Sequence, residues 1–85
     1  MEYLVVAYRS RAHTVKFADA LNRFGVRCEI VNTPKEAGVG CGLSVKTKKE
    51  NYLAVKNAVF SLALNSFAGI FLVTVISGKR FVKSI

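Results

Sequence analysis

The sequence predicts an α+β fold of the ferredoxin-like kind: a βαββαβ antiparallel sheet with two helices on one face, plus a short C-terminal β-ribbon. Three observations predict it. Hydrophobic periodicity changes along the chain in the order strand, helix, strand, strand, helix, strand. Glycine-bearing breaks separate these segments, at Gly25, between Gly38 and Gly42, at Gly69 and at Gly78. The length, 85 residues, suits one domain over residues 1–85 with a small core. A three-stranded sheet whose C-terminal ribbon pairs between chains is the alternative, and it leaves a homodimer open.

Residues 3–8, Tyr-Leu-Val-Val-Ala-Tyr, are nearly all apolar, as a central strand requires. Ser10 then offers its hydroxyl as an N-cap, and residues 11–24 follow a helical period. Phe17, Leu21 and Phe24 recur at four and three residues with Ala18 beside them, so they share one face. Gly25 is placed to end this helix in the left-handed conformation. Residues 26–30 alternate, which turns Val26, Cys28 and Ile30 to the core. Cys28 then reads as a small buried hydrophobe. Leu43 and Val45 face inward from a further strand at residues 43–46. Thr47 and Glu50 have the spacing of a capping box for a second helix over residues 48–64, with Tyr52, Val55, Val59 and Leu62 on one face. Residues 70–76 are strand-like, Ser77-Gly78-Lys79 reads as a hairpin turn, and residues 80–83 as the return strand.

Composition is that of a folded chain: 52% hydrophobic, 21% charged and one proline. Thirteen Lys and Arg against five Asp and Glu give a net charge of +8. Such a balance suits nucleic acid, anionic lipid or an acidic protein as partner. The basic residues are spread, with local groups only at Lys46-Thr47-Lys48-Lys49 and Lys79-Arg80, and no nucleic-acid motif accompanies them. Residues 58–77 are uncharged over a length able to span a bilayer. Asn65, Ser66 and Gly69 interrupt this run, and its second half is strand-like, so a buried helix end followed by a buried strand is expected in place of a membrane span. The chain passes straight into a strand pattern, which predicts no signal peptide and, with reduced thiols, a cytoplasmic protein. Cys28, Cys41 and the single His13 lack the spacing of a zinc site, and no metal or other cofactor is expected.

The segment NTPKEAGVGCG, residues 32–42, holds the only proline, three of the six glycines and one of the two cysteines. Thr33 and Glu36 have capping-box spacing around Pro34. This predicts one helical turn with Thr33 as cap and Pro34 at the first helical position. The glycines then unwind it. Gly40 and Gly42 flank Cys41, where they allow positive φ and remove side chains that would shield the sulfur. Successive backbone N–H groups can form a nest there that favours a thiolate, and Lys35 adds positive charge. A thiolate is the form that attacks or holds a sulfane sulfur. The same residues also fit a plain glycine loop with a partly buried thiol.

Taken together, EYLVVAYRSRAHTVKFADALNRFGV at the start, NTPKEAGVGCGLSV in the middle and the chain length resemble the putative selenium/sulfur carrier protein-like family of small bacterial proteins. In that family a Thr-Pro-Arg segment is followed by a few small residues and then Cys-Gly. The most specific match is Thr33-Pro34 followed by Cys41-Gly42-Leu43. The resemblance implies that Cys41 is the carrier thiol, that Thr33 and Pro34 shape its loop, and that Gly42 lets it be exposed. It implies sulfur or selenium donor and acceptor proteins as partners, and a transfer protein in place of an enzyme. The chain departs from the family at Lys35, where arginine is usual and bidentate anion binding is lost. It departs also at Ala37-Gly38, which replaces an apolar-Ser step, and in its basic balance.

Arg9, Arg11 and His13 lie at the start of the first helix, where the dipole favours an anion. They are candidate anion or partner contacts. His13 is a candidate acid–base partner of Cys41 if the fold brings the two together. Solvated charges and a surface histidine are the plainer readings. Other classes lack their signatures. An RNA-recognition domain would carry stacking rings on its central strands, where Leu43-Ser44-Val45 has none. A metal-carrying ferredoxin-like domain would carry CxxC after its first strand, where Tyr8-Arg9-Ser10 stands. No paired carboxylates, phosphate loop or Ser-His-Asp set is visible. The expected function is carriage of sulfur or selenium as a persulfide or selenosulfide on Cys41. The alternative is a binding or regulatory module whose basic surface meets nucleic acid or an acidic protein, with Cys41 structural.

Overall fold

The computed structural model describes residues 1–38 and 42–85; Val39, Gly40 and Cys41 lie outside the described residues. The elements follow in the order β1 (Glu2–Tyr8), α1 (Arg11–Arg23), β2 (Cys28–Asn32), β3 (Leu43–Lys48), α2 (Tyr52–Leu62), β4 (Phe67–Ile76) and β5 (Lys79–Ser84). Short 3₁₀ turns occupy Lys35–Ala37 and Lys49–Asn51. All strands join one antiparallel sheet in the order β2-β3-β1-β4-β5. The chain is therefore α+β with a five-stranded sheet and two helices. The C-terminal ribbon belongs to this sheet, which sets aside the three-stranded alternative.

β1 is central because its residues can be dry on both sides. Leu4 to Tyr8 are each only 0–1% exposed. Leu4, Val6 and Tyr8 face the helices, where they pack with Val45 and Ile70 from the flanking strands, Phe17, Ala18 and Leu21 from α1, and Val55 and Ala58 from α2. Each large side chain buried in this way contributes about 1.5–3 kcal/mol. Val5 and Ala7 face the other side, beside Lys46 and Ser44 of β3 and Phe71 and Gly69 of β4. That face is covered by the connection after β2, which folds back so that its 3₁₀ turn reaches β5. Pro34, in this connection, is buried.

Several local expectations hold. The Ser10 hydroxyl accepts the His13 N–H at 3.3 Å and caps α1. Gly25 ends that helix with φ +81°. Ser77 and Gly78 have φ +50° and +77°, the positive values a two-residue type I′ hairpin turn requires, and Ile76 and Lys79 close it. The uncharged run over residues 58–77 divides between α2 and β4. Among the described residues no helix is long and apolar enough to cross a membrane.

Other expectations are corrected. Phe24 is 67% exposed, because it sits at the C-cap, where the chain has already left the helical path. Ile30 is 42% exposed and Cys28 half-buried, since β2 is an edge strand with a neighbour on one side only. Thr47 does not cap a helix. It lies in β3, where its hydroxyl donates to the Arg27 carbonyl at 2.8 Å and accepts from the Asn51 amide at 2.9 Å. The following turn is 3₁₀, so α2 starts at Tyr52. It stops at Leu62 because Ala63 takes the left-handed conformation, φ +47°.

The contrast between Leu21 and Phe24 is measurable. Leu21→Ala should lower stability by about 2–5 kcal/mol, and Phe24→Ala by less than about 0.5 kcal/mol, in urea titrations. Equal losses at the two positions would contradict the burial described.

Candidate functional site

One end of the sheet gathers most of the candidate residues. The pairings Ala7–Ser44, Ala7–Gly69, Tyr8–Phe67 and Asn32–Leu43 bring four segments there. They are the start of α1, both ends of the β2–β3 connection, and the loop before β4.

The mouth of the β2–β3 connection is held shut. The Thr33 N–H donates to the Gly42 carbonyl at 2.9 Å, and the hydroxyls of Thr33 and Ser44 share a hydrogen bond at 2.6 Å. Ser44 is fully buried, so its hydroxyl needs this partner. The capping box expected at Thr33 and Glu36 does not form for that reason. Pro34 is the N-cap residue of the 3₁₀ turn and provides no side-chain cap. The turn is closed instead by N–H groups of Ala37 and Gly38 donating to the carbonyls of Pro34 and Lys35, each at 3.1 Å. Lys35 is exposed on this turn. Gly42 has φ +101°, and a Cβ added there would meet nothing within 4 Å, so only its backbone conformation demands glycine. Gly40 and Cys41 are outside the described residues.

The far side of the connection is tied to β5. Arg80 donates from Nη2 to Glu36 Oε1 at 2.8 Å and from Nε to Oε2 at 3.3 Å. This fork holds the Glu36 carboxyl below the usual carboxylate range, and the carboxylate raises the Arg80 guanidinium in turn. Both side chains are more than 40% exposed, at 43% and 41%, so the pair adds little to global stability. Its effect is to set where the turn lies.

Arg9 and Arg11 are exposed, and His13 is half-buried. His13 Nδ1 lies 2.6 Å from Ser66 Oγ, which also accepts the Ser10 N–H at 3.2 Å. The Ser66 carbonyl accepts the Arg9 N–H at 2.8 Å. Ser66 thus ties the start of α1 to the loop before β4. Nothing in the sequence singled it out, because 53 residues separate it from His13. The Thr14 hydroxyl donates to the Ser10 carbonyl at 3.2 Å and lies 3.5 Å from the Leu43 carbonyl. The first turn of α1 therefore adjoins the residue that follows Gly42. Beneath it, the Tyr8 ring meets His13, Phe17 and Phe67 at centroid distances of 6.3, 5.3 and 5.6 Å. Among the described residues its buried hydroxyl has no hydrogen-bond partner, and burial pushes it up to about 12.

Cys28 has a different setting. Its half-buried thiol donates to the Ala18 carbonyl at 3.5 Å and lies 3.6 Å from Asn22 Oδ1. Burial, and then the charge of Asp19, push this thiol up. A shift in this direction disfavours the thiolate, which is the nucleophilic form.

Two outcomes follow from this geometry. A depressed Glu36 carboxyl contributes to the folded state above its ordinary titration range, and that contribution is lost as the pH falls through its folded value. Arg80→Ala should therefore move the Glu36 titration, followed by NMR, back up toward the ordinary carboxylate range; an unchanged titration would show that the pair does not form. Gly42→Ala should strain the backbone by about 1–2 kcal/mol and speed exchange of the Thr33 amide by about tenfold.

The family model described as putative Se/S carrier protein-like matches residues 3–63. No curated protein and no solved structure matches the chain. The matched stretch runs from β1 to the end of α2 and takes in the whole β2–β3 connection. Covering more than half of the sequence, it shows that the chain belongs to the putative Se/S carrier protein-like family.

Proposed function

We propose that this protein carries sulfur or selenium on Cys41, as a persulfide or selenosulfide, and hands it to a partner protein. The observation that carries the reading is the family match, with Cys41 standing in the sequence directly before Gly42, whose carbonyl holds the mouth of the connection. The burial that disfavours a thiolate at Cys28 supports giving the role to the other cysteine.

The chemistry balances without an added oxidant. The Cys41 thiolate attacks the terminal sulfur of a donor protein's persulfide. A sulfur–sulfur bond forms at Cys41 as the donor's breaks, and the donor leaves as a thiolate. An acceptor nucleophile then attacks the terminal sulfur, and Cys41 leaves as a thiolate. In this reading Thr33, Pro34, Gly40 and Gly42 shape the loop. Arg9, Arg11 and Lys35 guide an anionic group or an acidic partner toward it. His13, engaged by Ser66, orients the start of α1 beside the loop. We read β2-β3-β1-β4 as the ferredoxin-like arrangement extended by β5, and the protein as a cytoplasmic carrier in place of an enzyme.

With a cysteine desulfurase and cysteine bearing labelled sulfur, the wild type and Cys28→Ser should both take up label and Cys41→Ser should not. Uptake by Cys41→Ser equal to wild type would end the proposal.

A further inference from the structure

β5 lies at the end of the sheet with one backbone edge facing outward. The ladder decides which groups line that edge. The hairpin closes on the pair Ile76–Lys79, and at the other end the Ile85 N–H donates to the Ile70 carbonyl at 2.9 Å. Hydrogen-bonded and non-bonded pairs alternate in an antiparallel ladder. The bonded pairs are therefore Ile76–Lys79, Thr74–Phe81, Leu72–Lys83 and Ile70–Ile85. The N–H and C=O groups of Arg80, Val82 and Ser84 point the other way, to the outer edge.

The side chains around this edge are unbalanced in charge. β5 contains no Asp or Glu and carries Lys79, Arg80 and Lys83. Among the described residues, Arg80 alone of these has an acidic partner, Glu36. Lysines on an edge strand commonly oppose pairing with like chains. Here the same face of β5 also exposes Phe81, at 55%, and Ile85 follows two residues after Lys83. An open backbone edge, exposed apolar side chains and excess positive charge complement an extended segment that alternates acidic and apolar residues. A second copy would set a net charge of +8 against +8. A lipid surface or a nucleic acid would meet the charge and leave the three outward backbone positions without a ladder.

We propose that the outer edge of β5 takes an acidic, extended segment of a partner protein as a sixth strand. Its biological role rests on the carrier reading: Glu36 and Arg80 tie the 3₁₀ turn of the β2–β3 connection to β5, so a protein docked there meets the same connection whose sequence carries Cys41. The surface itself does not depend on Cys41.

The test uses the full chain and a synthetic peptide about six residues long that alternates Glu and Val. A shuffled peptide of the same composition, phosphatidylserine vesicles and a single-stranded oligonucleotide serve as the other ligands. The alternating peptide should slow amide exchange at Val82 and Ser84 by about tenfold and leave Phe81 and Lys83, already bonded to β4, unchanged. Val82→Pro removes an outward N–H and no ladder bond, and should weaken binding by about tenfold. Lys83→Glu should weaken it as well. Equal binding of the shuffled peptide overturns the proposal, as does an absence of protection at Val82 and Ser84. Binding of vesicles or oligonucleotide but not of the peptide, or self-association without any ligand, overturns it too. Cys41→Ser should bind the peptide like wild type, so a failure of docking and a failure of sulfur carriage are read separately.

Discussion

The fold depends on keeping water from both faces of one strand. From Leu4 to Tyr8, β1 is apolar at every position and almost wholly unexposed. Two helices protect only one of its faces. The other would leave Val5 and Ala7 wet were it not for the β2–β3 connection, which folds back across it. The connection that bears the candidate site is thus part of the core's construction. Its polar groups had to be satisfied where they lie, since an unbonded buried hydroxyl is costly. Hence the Thr33 N–H serves Gly42 and its hydroxyl serves the buried Ser44.

What could be read in the sequence was what local chemistry encodes. The Ser10 cap, the left-handed Gly25, and the Ser77-Gly78 turn each depend on neighbours a few residues away, and each was visible. The two threonines show the limit. Thr33 and Thr47 both have capping-box spacing, yet their hydroxyls bond Ser44 and Arg27, at separations of 11 and 20 residues. Spacing states what a group is able to do; the tertiary neighbour decides what it does. Phe24 fails for a related reason, as periodicity cannot mark the residue at which a helix stops. The parts of the site that arise from topology alone, Ser66 against His13 and Arg80 against Glu36, left no pattern to find. The expectation at Cys41 came from its glycine neighbours and the family resemblance, and that residue lies outside the described ones.

The charge of the chain is better described by its distribution than by its total. Three of the five acidic residues lie in ion pairs with basic ones: Glu2 with Lys49, Glu29 with Lys46, and Glu36 with Arg80. Each pair is exposed enough to add little stability alone. Each also sits at a join. Glu2 accepts from both Lys49 and Thr74 and so links the turn after β3 to β4. Lys46 reaches Glu29 and covers the Tyr3 ring at 4.3 Å, linking β3 to both β2 and β1. Residues 51–85 have no acid of their own, so their positive charge remains directed outward.

The fork between Glu36 and Arg80 also bears on the order in which the molecule assembles. It closes a span of 44 residues, whereas the hairpin that presents Arg80 closes across two. Local hairpins form in about 1–10 μs, and long spans carry the larger entropy of closure. The family match stops at residue 63, before β4 and β5 begin. The β2–β3 connection, which lies inside the matched stretch, is therefore fastened by a strand that lies outside it. The 3₁₀ turn at Lys35–Ala37 thus gains its tie to the sheet only once the last hairpin has formed.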